Sequence, residues 1–593
     1  MMAKRWLIPG VLLVVYATMA IVGITWGLPT SRIDPLLFDG GTAWSGERIA
    51  RLSQTSDWLD DNRGADVDAD PVVFTGAEPV DLTLCEADVA AIYRRYRLFT
   101  HQPDEMITMM ALAGMRPREM HLDPKLYQYG GLFIYPVGAF IGLGGATGLI
   151  EVTSDPAYYL DHPGEFGKFY IAARVYVALW GAVGVLVIFA MGSRLGGTAV
   201  GVVAALLFTL MPVVVCMAHE AKPHLPGAVL MLVGVWWAMR YVSDGRRRDW
   251  VGMCVSCGAA LGMVLSSLPI FVLIPLAEVL RGGRTTMTSR VFWKRLLGGA
   301  AIGVLVYLAT NPYVAINAAV NREVLLSNLS NSTAMYEIGR VGEGVMRVIQ
   351  LTIEGARAPI VAFGFAALLL GVPCRWRDLL PLLVPAGLVF VQFILLGAGK
   401  PAEYGRFGVF PNTALAIMTA CLVAGGIGRR GVQASDDEQA RRNQSAHTAR
   451  RGGVTMTLAS MLVILATGYC GWGYLYNFWR DTAADNTREQ FGPVLERFAT
   501  RDADDGRLVV CVLADPAPYC LPPMNFAKVR LLCYPSMEAY QANPQGVLVV
   551  PADTNTAQER KRIPPLPDGG IGSPPYSIIS WANKPMVLRL PAQ

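Results

Sequence analysis

Charge is scarce in this sequence. Only 16% of its 593 residues are Asp, Glu, Lys or Arg, against 53% hydrophobic, and the mean hydropathy is +0.37. That balance excludes a soluble protein of this length and leaves enough apolar runs for many membrane crossings. The net charge of +5 is small, and the arginines cluster where loops would face the cytoplasm, which argues topology and not nucleic acid. No metal-ligand cluster of reliable spacing occurs and no repeat period stands out. Ionisable residues inside the apolar runs are few, which counts against a lipid-linked-sugar flippase or other transporter, the alternative class, whose interrupted helices carry charges at mid-membrane.

Of the ten cysteines, Cys216, Cys254, Cys257, Cys374, Cys421 and Cys470 lie in or beside apolar runs and read as small buried hydrophobes. Cys254 and Cys257 have CxxC spacing, but no second pair follows. Cys511, Cys520 and Cys533 fall where a disulfide is allowed, and the odd number leaves one of them, or Cys85, free.

Charge placement sets an expected topology. The apolar run Leu7 to Gly27 follows Lys4 and Arg5 and has no small-residue cleavage site, so it reads as an uncleaved first helix with a cytoplasmic N-terminus. Arg194, Arg246 to Arg248, Arg281 to Arg295, Arg375 with Arg377, and Arg429 to Arg451 are expected inside. These constraints predict about eleven helices. They keep residues 28–170 outside as a long first outer loop and make Gly131 to Ile150 re-entrant or juxtamembrane. Val251 to Leu280 splits into two short helices turning near Ser266, and a polar outer loop runs from Tyr313 to Gly344. A single helix is expected over 346–370 and a flexible cytoplasmic linker over 428–453.

Residues 1–476 thus form a transmembrane part, and 477–593 a small extracytoplasmic α/β domain. Asp485 to Thr500 has helical spacing, and Arg507 to Leu513, Val529 to Cys533 and Val547 to Val550 are β-branched runs bounded by Pro and Gly. The fold class is an α-helical polytopic protein of the cell membrane with a soluble α/β tail.

This topology gathers a particular set of polar residues on the outer face. His101-Gln102-Pro103-Asp104-Glu105 brings two adjacent carboxylates, and Lys125, Tyr127 and Tyr129 follow. The corner His219-Glu220-Ala-Lys222-Pro223-His224, the turn Asn311-Pro312-Tyr313, and Lys400, Tyr404 and Arg406 complete the set. A carboxylate can take a proton from an attacking hydroxyl, and Lys and Arg can hold a phosphate, Arg in bidentate fashion. An acid beside a phosphate clamp at a lipid surface suits transfer of a group from a lipid phosphate to a hydroxyl.

At these residues the chain resembles the GT-C superfamily of integral membrane glycosyltransferases, in particular the branch of protein O-mannosyltransferases and aminoarabinose transferases. The resemblance rests on Pro103-Asp104-Glu105, Tyr129-Gly130-Gly-Leu-Phe-Ile-Tyr135, Arg174, the Arg194-Leu-Gly-Gly turn and the His219 to His224 corner. It continues through Asn311-Pro312-Tyr313, Tyr404-Gly-Arg406-Phe407 with Pro411, and Asp485-Asn-Thr-Arg488. It implies a polyprenyl-phosphate sugar as donor and an inverting single displacement onto a hydroxyl or amine acceptor. It also implies Asp104 as catalytic base with Glu105 beside it, and Arg406 on the donor phosphate, with Lys125 and Lys222 as further phosphate contacts. Tyr127, Tyr129, Asn311, Tyr313 and Tyr404 would line the substrate pocket. A second acid is common at the second outer corner of the family. Here Glu220 stands in, and His224 occupies the place where an aspartate is often found.

Plainer readings stand beside these. Asp104 and Glu105 also suit a helix N-terminus. His219 and His224 suit a snorkelling interfacial pair, with a divalent metal through them and Glu220 left open. Arg406 suits an interface anchor, and the tyrosines an aromatic belt. Asp34, soon after the first helix, is a rival base for Asp104. The acidic stretch Asp57 to Asp70 reads as a solvated insertion. The sugar, the acceptor (protein, lipid or glycan) and the role of the tail are not written in the sequence.

Overall fold

The computed structural model of the chain describes residues 2–54, 76, 78–102, 104–336, 338–399, 404–425, 440–480, 482, 489, 492, 495–496, 499–513, 521–551 and 586–589. Pro103, the acidic stretch 57–70, Lys400, Glu403, Asp485 to Arg488, Cys520 and residues 428–439 of the linker lie outside them. The chain divides into two compact units. One comprises Met1–Val22, Met115–Val137 and Arg174–Tyr476; the other comprises Gly23–Gly114, Gly138–Ala173 and Asn477–Gln593.

The first unit is helical, and its apolar sequence dictates this: backbone groups removed from water must be satisfied within the segment, which a helix does. Among the described residues seven helices are long and apolar enough to cross a membrane: Pro163–Gly196, His224–Asp244, Leu265–Gly282, Arg290–Thr310, Arg377–Gly399, Gly405–Val423 and Thr457–Arg480. Two bent pairs would bring the number to nine, and Leu7–Ile21 and Gly131–Ala146 are shorter apolar helices.

The breaks have local causes. Met211 precedes Pro212 and sits at φ −68°, ψ 127°, outside the α region as a residue before proline favours, and the ladder bends by 60°. Val264 is fully extended between Arg247–Met263 and Leu265–Val272, so the long run 251–280 does split in two.

Four local expectations are corrected. Residues 346–370 are not one helix, because Arg357 adopts φ +74° and Val341–Ala356 meets Ala358–Leu370 at 108°. The stretch 313–344 is not a polar loop but carries two helices, Pro312–Val320 and Arg322–Ala334, the first opened by a proline whose fixed φ suits the first helical position. Residues 440–453 continue the helix Ala440–Arg480, since their Ala, Arg and Gln are good helix formers. Helical pairing also runs through Arg375 and Arg377 within Ala358–Gly399, where a turn was expected.

The second unit carries the α/β part. Its strands are β1 (Val80–Asp81), β2 (Thr500–Arg501), β3 (Leu508–Leu513), β4 (Val529–Tyr534), β5 (Val547–Pro551) and β6 (Met586–Arg589). They form one sheet in the order β1-β4-β3-β5-β6, with β2 also pairing β3. The β3–β4 and β3–β5 pairs are parallel and the others antiparallel. The β-branched runs read from the tail are therefore the central strands, buried as a parallel sheet requires. Val509, Cys511, Leu532, Tyr534, Tyr540 and Leu548 make a core on one face.

The edge strand β1 comes from the segment that follows the first helix, far from the tail in sequence. Thr83, just beyond it, accepts the Leu531 N–H at its hydroxyl, 2.9 Å, so that segment and the tail build one sheet. Cys511 is a buried free thiol and Cys85 an exposed one, and Cys533 is buried in the sheet.

Candidate functional site

In the second unit, Asp104 and Glu105 open the helix Asp104–Ala113, where carboxylates complement the positive end of the helix. Their environments differ. Asp104 is half-buried, whereas Glu105 has no exposed surface and accepts the Thr100 hydroxyl proton across 2.5 Å. The same hydroxyl accepts the Gln102 N–H at 3.1 Å. The acidic pair is thus one buried, fixed carboxylate and one partly accessible carboxylate, and the accessible one can meet a substrate.

The rival base Asp34 has a different environment. Its carboxylate lies 2.8 Å from Nη2 of Arg97, a buried arginine whose Nη1 donates to Leu160 O at 2.9 Å. Burial pushes the Asp34 carboxyl above its usual range, with Arg97 opposing. Arg97 stays charged and needs this counter-charge, so Asp34 is engaged as its partner.

In the first unit, the corner after Pro212–Ala218 is buried. Glu220 and Lys222 have almost no exposed surface and face each other at 3.4 Å. His219 places Nδ1 2.7 Å from Val215 O and Nε2 2.8 Å from Val22 O. With both nitrogens against backbone carbonyls, His219 serves as a strut in this arrangement. Among the described residues no group of three or more His, Cys, Asp or Glu could hold a metal ion.

His224 opens the helix His224–Asp244 and is met edge-on by two rings, Tyr129 at 5.9 Å and Phe407 at 5.0 Å. Arg406 lies over the same Phe407 ring at 5.6 Å. Tyr129, His224 and the Arg406-Phe407 pair, predicted from three distant parts of the sequence, are therefore linked in a chain of ring contacts that runs through His224. Of Tyr404, only its backbone in the turn Tyr404–Gly408 is described.

Other predicted pocket residues prove to be braces. Asn311 accepts the Gly131 N–H at 2.7 Å and donates to Tyr307 O at 3.1 Å, which ties the start of one helix to the end of another. Gly130 packs beside it so closely that a Cβ would lie 1.9 Å from Gly262 O. The Tyr313 hydroxyl accepts the Leu122 N–H at 3.1 Å. The Tyr127 hydroxyl donates to Asp123 at 2.8 Å, and Asn317 donates to the other oxygen of Asp123 at 2.7 Å. Burial, then Asp123, push the Tyr127 phenol above its usual range, so it stays a neutral donor. Lys125 sits exposed in this braced turn at φ +53°, where its ammonium can meet an anion.

Arg174 was not among the predicted site residues. It is fully buried within the span Pro163–Gly196 and close enough to His219 to act on it electrostatically. The signal was available: a lone arginine inside an apolar run is costly to bury and marks a functional position.

Residues 166–313 match the family described as dolichyl-phosphate-mannose-protein mannosyltransferase. No curated protein sequence matches the chain. Among solved structures, the chain is similar to ArnT from Cupriavidus metallidurans bound to undecaprenyl phosphate, at 16% identity over 84% of this chain and 96% of that one, with a TM-score of 0.43. The apo state of the same protein gives 16%, 79%, 92% and 0.42. The archaeal oligosaccharyltransferase AglB from Archaeoglobus fulgidus, in complex with an inhibitory peptide and a dolichol-phosphate, gives 12%, 82%, 64% and 0.33. The family match covers Arg174, the His219 to His224 corner and Asn311-Pro312-Tyr313, and it bears out the GT-C resemblance.

Proposed function

We propose that this chain, a membrane glycosyltransferase of the GT-C type, moves a sugar from a polyprenyl-phosphate donor to a hydroxyl or amine acceptor at the outer face of the cell membrane. In this reading residues 1–476 hold the donor, its N-terminus is cytoplasmic, and 477–593 lies outside with the first outer loop. The observation that carries the reading is the burial of Arg174, Glu220 and Lys222 inside the family-matched segment of an apolar helical unit. Three buried charges are expensive in a membrane protein and are kept where a charged substrate or transition state needs them.

In the step proposed, the Asp104 carboxylate takes the acceptor proton as the acceptor atom bonds to the anomeric carbon. The bond from that carbon to the phosphate oxygen breaks with inversion, and the polyprenyl phosphate leaves with its electron pair. Arg406, Lys222 and Lys125 supply positive charge for the departing phosphate. Glu105, buried and held by Thr100, fixes the segment that carries Asp104.

The experiment is transfer of radiolabelled sugar from a panel of polyprenyl-phosphate sugars by the full chain in nanodiscs, beside Asp104→Asn and Arg406→Ala. Release of label from the lipid by wild type alone supports the reading. Full activity of Asp104→Asn removes Asp104 as base, and lipid binding by wild type without any release of sugar favours the flippase.

A further inference from the structure

Lys125 stands in a backbone conformation that its own side chain opposes. Its φ is +53°, in the left-handed region where a Cβ crowds the following carbonyl and which glycine enters freely. A residue persists there only where its surroundings over-determine it. At Lys125 they do so through both of its backbone groups.

Oδ1 of Asp123 accepts the Lys125 N–H at 3.0 Å. Nδ2 of Asn328 donates to the Lys125 carbonyl at 3.0 Å, and Oδ1 of the same amide accepts the Tyr127 N–H at 3.0 Å. One side chain thus fastens the chain on both sides of Leu126. Asp123 is itself held: Asn317 donates to its other carboxylate oxygen at 2.7 Å and to the Tyr127 hydroxyl, which in turn donates to Asp123. Asp123, Tyr127 and Asn317 are all buried, so the ring they close is shielded from competing water. Asn317 comes from the helix Pro312–Val320 and Asn328 from Arg322–Ala334.

This network consumes the buried polar groups of the turn and leaves Lys125 exposed at its tip. Glycine would make the same turn without the conformational cost. What lysine adds is an ammonium at a fixed, accessible point. We propose that Asn328 and Asn317 are positioning residues: through the backbone of Lys125 and through Asp123 they hold that ammonium where it meets the phosphate of the polyprenyl-phosphate donor. This rests on the transferase reading above, in which Lys125 supplies charge to that phosphate, and adds to it the two helices that set where the charge stands.

Binding of undecaprenyl phosphate to the full chain, by native mass spectrometry with undecaprenol as the uncharged control, tests it. Lys125→Ala is expected to weaken the phosphate at least tenfold and leave undecaprenol unchanged, while Lys125→Arg keeps the charge and most of the affinity. Asn328→Ala and Asn317→Ala should each weaken the phosphate several-fold beside a native Lys125. In the Lys125→Ala background they should add nothing, because a positioning residue acts only through the group it positions. Equal losses in the two backgrounds overturn the proposal. Lys125→Gly, freed of its Cβ, should melt above Lys125→Ala yet bind the phosphate no better, a combination that misfolding cannot produce. A glycine variant that melts below the alanine one, or that binds like wild type, also overturns it. If the binding pattern holds but wild type releases sugar from no polyprenyl-phosphate sugar, the transferase reading fails and the positioned contact to a lipid phosphate stands. If wild type transfers sugar while Lys125→Gly binds the phosphate undiminished, the transferase reading stands and the positioning proposal fails.

Discussion

Thr100 and Glu105 are joined by a hydrogen bond of 2.5 Å between the Thr100 hydroxyl and the Glu105 carboxylate, with no exposed surface at Glu105. The bond spans the turn that precedes Asp104, so it fixes the entry of the helix Asp104–Ala113. Thr100→Val keeps the shape and removes the donor. Leaving a buried carboxylate short of a partner costs about 1–3 kcal/mol, so the melting temperature should fall by several degrees. Transfer should drop mainly in kcat, because the base is displaced while the donor contacts remain.

Asp34 and Asp104 are expected to respond in opposite ways. Asp34→Asn removes a counter-charge that lies 2.8 Å from the buried Arg97, leaving Asp161 as the remaining nearby carboxylate, so melting should fall. Asp104→Asn should melt near wild type yet lose at least a hundredfold in transfer, as loss of a general base typically does. Both variants in one melting and activity series check this; a stable, inactive Asp34→Asn would reverse the assignment.

Gly130→Ala should abolish folding of the full chain. Its Cβ would lie 1.9 Å from the Gly262 carbonyl and 3.2 Å from Asn311, and backbone at that distance has no room to give. Asn311→Ala should be milder: it orphans the buried Gly131 N–H, at about 1–3 kcal/mol. Yield and elution profile after solubilisation read both.

Cysteine labelling should separate Cys85 from Cys511. Cys85 is exposed and Cys511 buried, and burial pushes the Cys511 thiol up to about 12. The reactive form is the thiolate, so a maleimide should label the exposed Cys85 and leave native Cys511 unlabelled even at pH 9. Denaturation should expose it. Labelling of Cys85 by a membrane-impermeant maleimide on intact cells would also support the outer placement of the first loop.

How much was legible follows from the range of each interaction. The helices and their approximate places were readable, because apolar runs and basic flanks are local signals. The three central strands of the tail were readable as β-branched runs for the same reason. The bend at Arg357 was not, since a positive φ at arginine has no composition signal, and the helices over 312–334 were hidden by polar residues that a surface helix also tolerates.

Among site residues, sequence alone determined which carboxylates and cations were available, and the family resemblance through Arg174, His219 to His224 and Asn311-Pro312-Tyr313. Only tertiary structure decided their duties. Asn311, Tyr313 and Tyr127 became braces because their partners Gly131, Leu122 and Asn317 lie 180, 191 and 190 residues away in sequence. Asp34 became a counter-charge of Arg97, and β1, from the segment after the first helix, joined the tail sheet. A side chain carries its chemistry in its identity, but its role depends on which groups share its desolvated surroundings, and packing brings those groups together from distant parts of the chain.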